Sequence, residues 1–101
     1  SAPAPVAASP APPARVLVAL TGSLAGARRY PLSDPDGVAF NLPHARASRK
    51  VGTYAPDVTG LKSMWVRPLP GGGTHLRFFY TSARPAPRIT LERDGVHVGA
   101  P

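Results

Sequence analysis

Apolar residues recur at every second position from Arg15 onward, and glycine or proline interrupts the pattern at short intervals. Alternation with this period is typical of strands with one buried face, and no amphipathic run is long enough to predict a helix. The first run, with Val16, Val18 and Leu20 on one face, is apolar on both faces, which favours a central position in a sheet. The pattern therefore predicts an all-β fold.

The sequence Asp34-Pro-Asp-Gly37 predicts the first hairpin, between segments 30–33 and 38–42. Proline fixes φ near the value that a turn requires, and glycine adopts positive φ without steric cost. Pro31 lacks a backbone donor, so we expect the segment that contains it at a sheet edge.

Two further hairpins are predicted in the second half of the chain. A loop with three glycines joins segments 61–67 and 76–81, and Asp94-Gly95 is a strong turn signal within segment 88–99. In the second hairpin the alternation directs Met64, Val66, Leu76, Phe78 and Tyr80 inward, whereas Trp65 and Phe79 fall on the outer side.

Three hairpins and a leading strand predict a small two-sheet β-sandwich built from hairpins. Segment 44–60 has a weaker pattern, and we expect it to be loop, with room for one short strand and a short helix at 56–60.

Composition divides the chain into two regions. Residues 1–14 contain five prolines and six alanines with no charge, which predicts a flexible Ala/Pro-rich linker of extended character. Residues 15–101 are predicted to form one domain. The chain has no start methionine or signal-peptide pattern, so we expect an excised or processed fragment. No apolar run approaches the roughly twenty residues of a membrane-spanning helix, and we expect no direct membrane insertion.

Charge indicates the kind of partner. Twelve Lys and Arg residues, most of them arginine, outnumber five Asp and Glu residues, and the formal net charge is +7. Arginine pairs with carboxylate and phosphate, so nucleic acid, anionic lipid and an anionic cell-wall polymer are all compatible with it. The alternative is an ordinary solvated surface.

Catalytic chemistry has little support in the sequence. There is no cysteine, no serine lies in an activated-nucleophile motif, and His44, His75 and His97 lack metal-ligand spacing. Most of the carboxylates lie in or beside predicted turns, where Asp has a structural role. We expect no enzyme activity, no cofactor and no metal site.

Basic residues interleaved with aromatic ones form the candidate binding surface. Guanidinium groups pair with carboxylates, and an exposed aromatic face can accept a sugar ring. The alternative for Trp65 is that it caps the core. The candidate residues are Arg28, Arg29, Arg46, Arg49, Lys50, Tyr54, Lys62, Trp65 and Arg67, with Arg77 beside them.

The order of motifs resembles the AMIN domain, a localisation module found in cell-wall amidases and type IV pilus secretins. The specific part is Leu32-Ser-Asp-Pro35 leading into Val38-x-x-x-Leu-Pro43, followed by Gly-Leu-Lys-Ser-x-x-Val-Arg67 and a final Asp-Gly-Val-x-Val98. The resemblance covers residues 15–98. Where the family usually carries Arg and Asp, this chain has Gly37 and Asn41, so one charged pair of the family pattern is missing.

The resemblance implies a two-sheet β fold, no catalysis and peptidoglycan binding in the periplasm or cell envelope. The leading expectation is a localisation module of a type IV pilus secretin, with other envelope proteins or domains of the parent as further partners. A targeting domain of an amidase is the close alternative. Two alternatives belong to other functional classes: a basic nucleic-acid-binding domain and a protein–protein adaptor. Of the partners, we do not expect nucleic acid.

Overall fold

A computed structural model describes residues 15–82 and 86–99, so the predicted linker at 1–14 lies outside the described residues. The described part of the chain forms strands joined by turns and loops and contains no helix. The strands are β1 (Arg15–Gly22), β2 (Arg28–Leu32), β3 (Gly37–Leu42), β4 (Ala45–Ala47), β5 (Gly52–Tyr54), β6 (Leu61–Pro68), β7 (Thr74–Tyr80), β8 (Arg88–Glu92) and β9 (Gly95–Gly99).

The strands form two antiparallel sheets that do not close into a barrel. Sheet I has four strands in the order β4-β1-β9-β8, and sheet II has five in the order β2-β3-β7-β6-β5. The predicted all-β, two-sheet sandwich is thereby confirmed. The predicted hairpins are β2–β3, β6–β7 and β8–β9, and all three form. Two of their turns lie one residue earlier than predicted, at residues 33–36 and 93–94, so Gly37 and Gly95 are the first residues of β3 and β9. In the first turn the positive φ is adopted by Asp34 and not by Gly37.

Strand positions also follow the sequence. β1 lies between β4 and β9, which confirms its central place, and β2 with Pro31 is an edge strand. The inner faces pack into one core in which Phe40 and Phe78 meet edge to face, with ring centroids 5.9 Å apart. Both rings are fully buried, and Tyr80, which is also predicted to face the core, is partly buried against it.

The alternation predicted for β1 is wrong at its first residues. The register with β9 shifts between Val16 and Val18, so Leu17 is buried and Val16 is 43% exposed. A bulge of this kind inserts one unpaired residue and reverses the facing of all residues before it.

Segment 44–60 contains two short strands where one was expected. β4 pairs with the end of β1, and β5 pairs with β6. The short helix considered at 56–60 is absent, and that segment is a turn. Because β4 and β5 are three residues each, their alternation is too brief to be recognised from sequence alone.

Candidate functional site

The outward-facing side of sheet II, here called the outer face, collects side chains from all five of its strands. Residues that are paired across antiparallel strands project from the same side of the sheet. The cross-strand register therefore sets two rows next to each other on this face. One row is Thr53, Trp65, Arg77, Ala39 and Tyr30, and the other is Arg67, His75, Asn41 and Arg28.

Trp65 is at the centre of the contacts on this face. The guanidinium carbons of Arg67 and Arg77 lie 5.0 Å and 5.5 Å from its ring centroid, and the Phe79 ring meets it edge to face at 5.2 Å. Cations at such distances are attracted by the electron-rich face of the indole. Trp65 is half-buried, so it fixes the two arginines in place and still contacts solvent.

Arg67 fastens the edge strand β5 to the sheet. Its Nη1 donates to the Gly52 carbonyl at 2.9 Å and to the Val66 carbonyl at 3.0 Å. Its Nη2 donates to Thr53 Oγ1 at 3.3 Å. Much of its hydrogen-bonding capacity is therefore used within the protein. We assign Arg67 a structural role first and a ligand-binding role second.

Arg77 is held differently, through its inner nitrogen. Its Nε donates to His75 Nε2 at 2.9 Å, and His75 Nδ1 donates in turn to Asn41 Oδ1 at 2.5 Å. Within the described residues, no hydrogen bond engages the two terminal nitrogens of Arg77, and no carboxylate forms an ion pair with Arg67 or Arg77. The outward end of the Arg77 guanidinium is therefore available to an anion.

His75 is neutral in this arrangement. Burial lowers its pKa most, and the positive charges of Arg77 and Arg67 lower it further. A neutral imidazole carries one proton, and the bonds to Asn41 and Arg77 place it on Nδ1. His75 thus orients Arg77 without adding a charge.

A cavity of about 300 Å³ opens beside Arg77, at the end of the outer face where the β2–β3 turn lies. Its walls combine both signs of charge, two hydroxyl groups and aromatic surface. It is lined by Leu32, Ser33, Asp34, Pro35, Lys62, Ser63, Trp65, Arg77 and Phe79.

Gly37 allows the close pairing of β3 with β7. A Cβ at this position would lie 2.2 Å from the Phe78 carbonyl oxygen, so a side chain requires the strands to separate. Asn41 Oδ1 accepts a hydrogen bond from His75 Nδ1–H, and His75 in turn orients Arg77. In this chain the two positions serve close strand pairing and the orientation of an arginine.

The structure distributes the predicted site residues over three places. Arg28, Trp65 and Arg67 share the outer face, and Lys62 lines its cavity. Arg46 and Arg49 line a second cleft of about 310 Å³ that also includes β6 and the β6–β7 loop, and Arg67 contributes to its wall as well. Arg29 lies at the opposite edge, where its Nη2 donates to the Ile89 carbonyl at 3.4 Å and links β2 to β8.

Arg49, Lys50 and Tyr54 form a local cluster before and within β5. The guanidinium carbon of Arg49 is 5.1 Å from the Tyr54 ring centroid, and its Nε donates to the Leu17 carbonyl at 3.3 Å. The Tyr54 hydroxyl donates to the Lys50 carbonyl at 2.5 Å. These contacts hold the connection between the sheets, and they leave the Lys50 side chain exposed.

Some residues of the site were not singled out from the sequence. The sequence predicts Phe79 on the outer side of the second hairpin, but it identifies none of Phe79, His75 and Asn41 as a binding residue. The alternation shows that Trp65 and Arg67 share a face, but their neighbours across the sheet depend on the strand order. The order β3-β7-β6 is the missing information that brings Asn41, His75 and Trp65 together.

Neither a cluster of metal ligands nor a membrane-spanning helix is found in the described part of the chain. Residues 15–82 and 86–99 contain no group of three or more metal-ligating side chains and no helix of the length and apolarity required to cross a membrane. Comparison with protein-family models, with curated proteins and with solved structures finds no match.

Proposed function

We propose that this chain is a non-catalytic module that binds peptidoglycan and so localises a larger envelope protein. The outer face would supply the contact, with Trp65 and Arg77 at its centre. The AMIN-like motif order favours a periplasmic type IV pilus secretin as the parent protein, and a cell-wall amidase is the alternative.

The observation that carries the proposal is the state of the Arg77 guanidinium. An arginine that is oriented by a histidine, braced by an indole and unpaired with any carboxylate of the described residues has unused donors directed at solvent. Preorganised guanidinium groups bind carboxylates through charge-assisted hydrogen bonds. Peptidoglycan offers such carboxylates on its peptide stems and sugar rings for the neighbouring aromatic surface.

A pelleting assay with insoluble peptidoglycan tests the proposal. The full chain should sediment with the polymer, and Arg77→Glu should weaken the apparent affinity by about tenfold, because each charge-assisted contact contributes about 1.5–3 kcal/mol. Added salt should weaken the binding of the native chain, as it does for exposed charges.

Arg88→Glu is the matched control. Arg88 is exposed on β8, in sheet I, and its reversal changes the net charge by the same amount as Arg77→Glu. Absence of sedimentation, or an equal loss in both variants, contradicts the proposal. Tighter and strongly salt-dependent binding to single-stranded oligonucleotides than to the polymer would favour the nucleic-acid class instead.

A further inference from the structure

We infer that the cavity beside Arg77 is a binding site for the carboxylate-bearing end of a peptide, of the kind that the peptide stems of peptidoglycan carry. This inference rests on the proposed function and adds the chemical group that is recognised.

Two cations contribute to the lining. Arg77 offers the terminal nitrogens that are unused within the described residues, and Lys62 is exposed, three residues before Trp65 on the same strand. A guanidinium binds both oxygens of a carboxylate in its plane, and an ammonium adds a mobile point charge. Together they favour a terminal carboxylate.

One anion faces the same cavity. Asp34 lies in its lining at the β2–β3 turn and adopts a φ of 51°, a conformation that residues other than glycine rarely use. Its carboxylate is exposed, so it is available to an amino group of a ligand. Ser33 and Ser63 add hydroxyl groups that can donate or accept.

The combination of charges distinguishes a peptide end from a glycan chain. N-acetylated sugars present hydroxyl and amide groups and carry no amine that could form an ion pair with the carboxylate of Asp34. A stem peptide carries carboxylates and, at its diamino acid, a free amine. Both kinds of charge in the ligand therefore have a counterpart in the cavity.

The size and the lining of the cavity also favour a peptide end. A volume of about 300 Å³ lies at the lower end of small-ligand pockets, which suits an end group better than a polymer segment. Trp65, Phe79, Leu32 and Pro35 supply apolar surface for small side chains such as the methyl groups of alanine. The site is thus matched to a short peptide end with small residues near its terminus.

The direct test is an NMR titration of the isotope-labelled full chain with N-acetyl-L-Lys-D-Ala-D-Ala, which has a terminal carboxylate and a free amine. Shifts should concentrate at Ser63, Trp65, Arg77 and Phe79. The same peptide with a C-terminal amide should bind about tenfold more weakly, because the charge-assisted contact is lost. Equal binding of the acid and the amide, or shifts confined to sheet I, would overturn the inference.

Variants separate the roles of the two signs of charge. Arg77→Gln should weaken the acid form and leave the amide form little changed, whereas Asp34→Asn should weaken only peptides with a free lysine amine. Arg88→Gln, in sheet I, serves as the matched control and should leave all affinities unchanged. If the ratio of the affinities for free-lysine and acetylated-lysine peptides is the same in Asp34→Asn as in the native chain, Asp34 does not bind the amine.

Peptidoglycan from which the stems have been removed separates this inference from the proposed function. Loss of sedimentation with the stripped glycan supports a peptide-end site. Unchanged sedimentation with the stripped glycan would overturn the inference and leave peptidoglycan binding intact. Binding of the soluble peptide without any sedimentation with whole peptidoglycan would instead contradict the proposed function. Tighter binding of the all-L peptide would assign the site to a protein C-terminus and also overturn the inference.

Discussion

His75 illustrates how one neutral side chain organises a basic surface. Two arginines close to it disfavour its protonation, and its two ring nitrogens are already committed to one accepted and one donated hydrogen bond. A second proton, on Nε2, would face the Arg77 Nε–H, so donor would oppose donor. The orientation of Arg77 therefore depends on the charge state of His75.

The lowered pKa of His75 predicts a loss of stability on acidification. In the unfolded chain the imidazole titrates near its ordinary pKa of 6.5, whereas in the folded protein it titrates below that value. As pH falls through this interval the unfolded state binds a proton that the native state does not, so the free energy of unfolding decreases. The contribution is complete above about pH 6.5 and is lost between that value and the lower native pKa.

Thermal unfolding between about pH 5 and 8 measures this effect. His75→Gln should flatten the acid side of the profile, and His44→Gln should leave it as in the native chain, since His44 is exposed in a turn. If His75→Gln has the same dependence of Tm on pH as the native chain, the His75 imidazole is not the cause of that dependence. Asp94 titrates in a more acidic range, because its hydrogen bond with His97 lowers the pKa of its carboxyl.

Elements differ in how far the sequence determines them. The hairpins are specified locally, because turn residues such as Asp34 and Asp94 favour the reversal and alternation fixes the faces. β4 and β5 are specified by partners distant in sequence, such as Leu20 for Ala47, and so have no local signal. The bulge in β1 likewise depends on its pairing with β9.

The same distinction applies to the candidate site. Alternation places Trp65 and Arg67 on one face, and the sequence predicts both as binding residues. It does not predict that Arg29 belongs to the opposite edge or that Arg49 binds a β1 carbonyl, since these contacts depend on how the sheets are stacked. Local patterns therefore identify candidate binding residues, and the strand order determines which of them lie next to each other.

The Arg67 side chain reinforces the backbone pairing of strand β5 with β6, and this gives an element-scale prediction. Arg67→Lys keeps the charge but loses the planar fork that reaches Gly52 and Thr53, so β5 should be destabilised by about 1 kcal/mol. Hydrogen exchange at the backbone amides of β5 should accelerate roughly fivefold, whereas amides of β3 should not change. Arg46→Lys is the control, because Arg46 is exposed on β4; an equal effect there would contradict the role of Arg67.

At the scale of the whole molecule, the sheet beneath the outer face packs on a core of buried apolar side chains. Phe40, Met64 and Phe78 are fully buried under the strands that carry Asn41, Trp65 and Arg77. Side chains on such a sheet lose little freedom when a ligand binds, which lowers the entropic cost of recognition. The arrangement of the sandwich thus serves the preorganisation of its exterior.

A single buried hydroxyl links the two sheets at one end of the sandwich, and its removal gives the whole-molecule prediction. Thr74 Oγ1, on β7, donates to the Ala45 carbonyl of β4 at 3.0 Å. Thr74→Val preserves the shape but leaves that carbonyl without this donor, which should lower the free energy of unfolding by about 1–3 kcal/mol. In a domain of this size each kcal/mol corresponds to about 4–8 °C in Tm, which calorimetry resolves readily.

Thr90→Val provides the comparison, because Thr90 lies on β8 and pairs with His97 on the outward side of sheet I. Its substitution should change Tm by no more than a few degrees, since surface substitutions usually alter stability by about 0.5 kcal/mol or less. If Thr74→Val proved no less stable than Thr90→Val, the hydroxyl would not be a link between the sheets. The stability of this end of the sandwich would then derive from apolar contacts alone, such as those of Ala45 and Leu42 within the core.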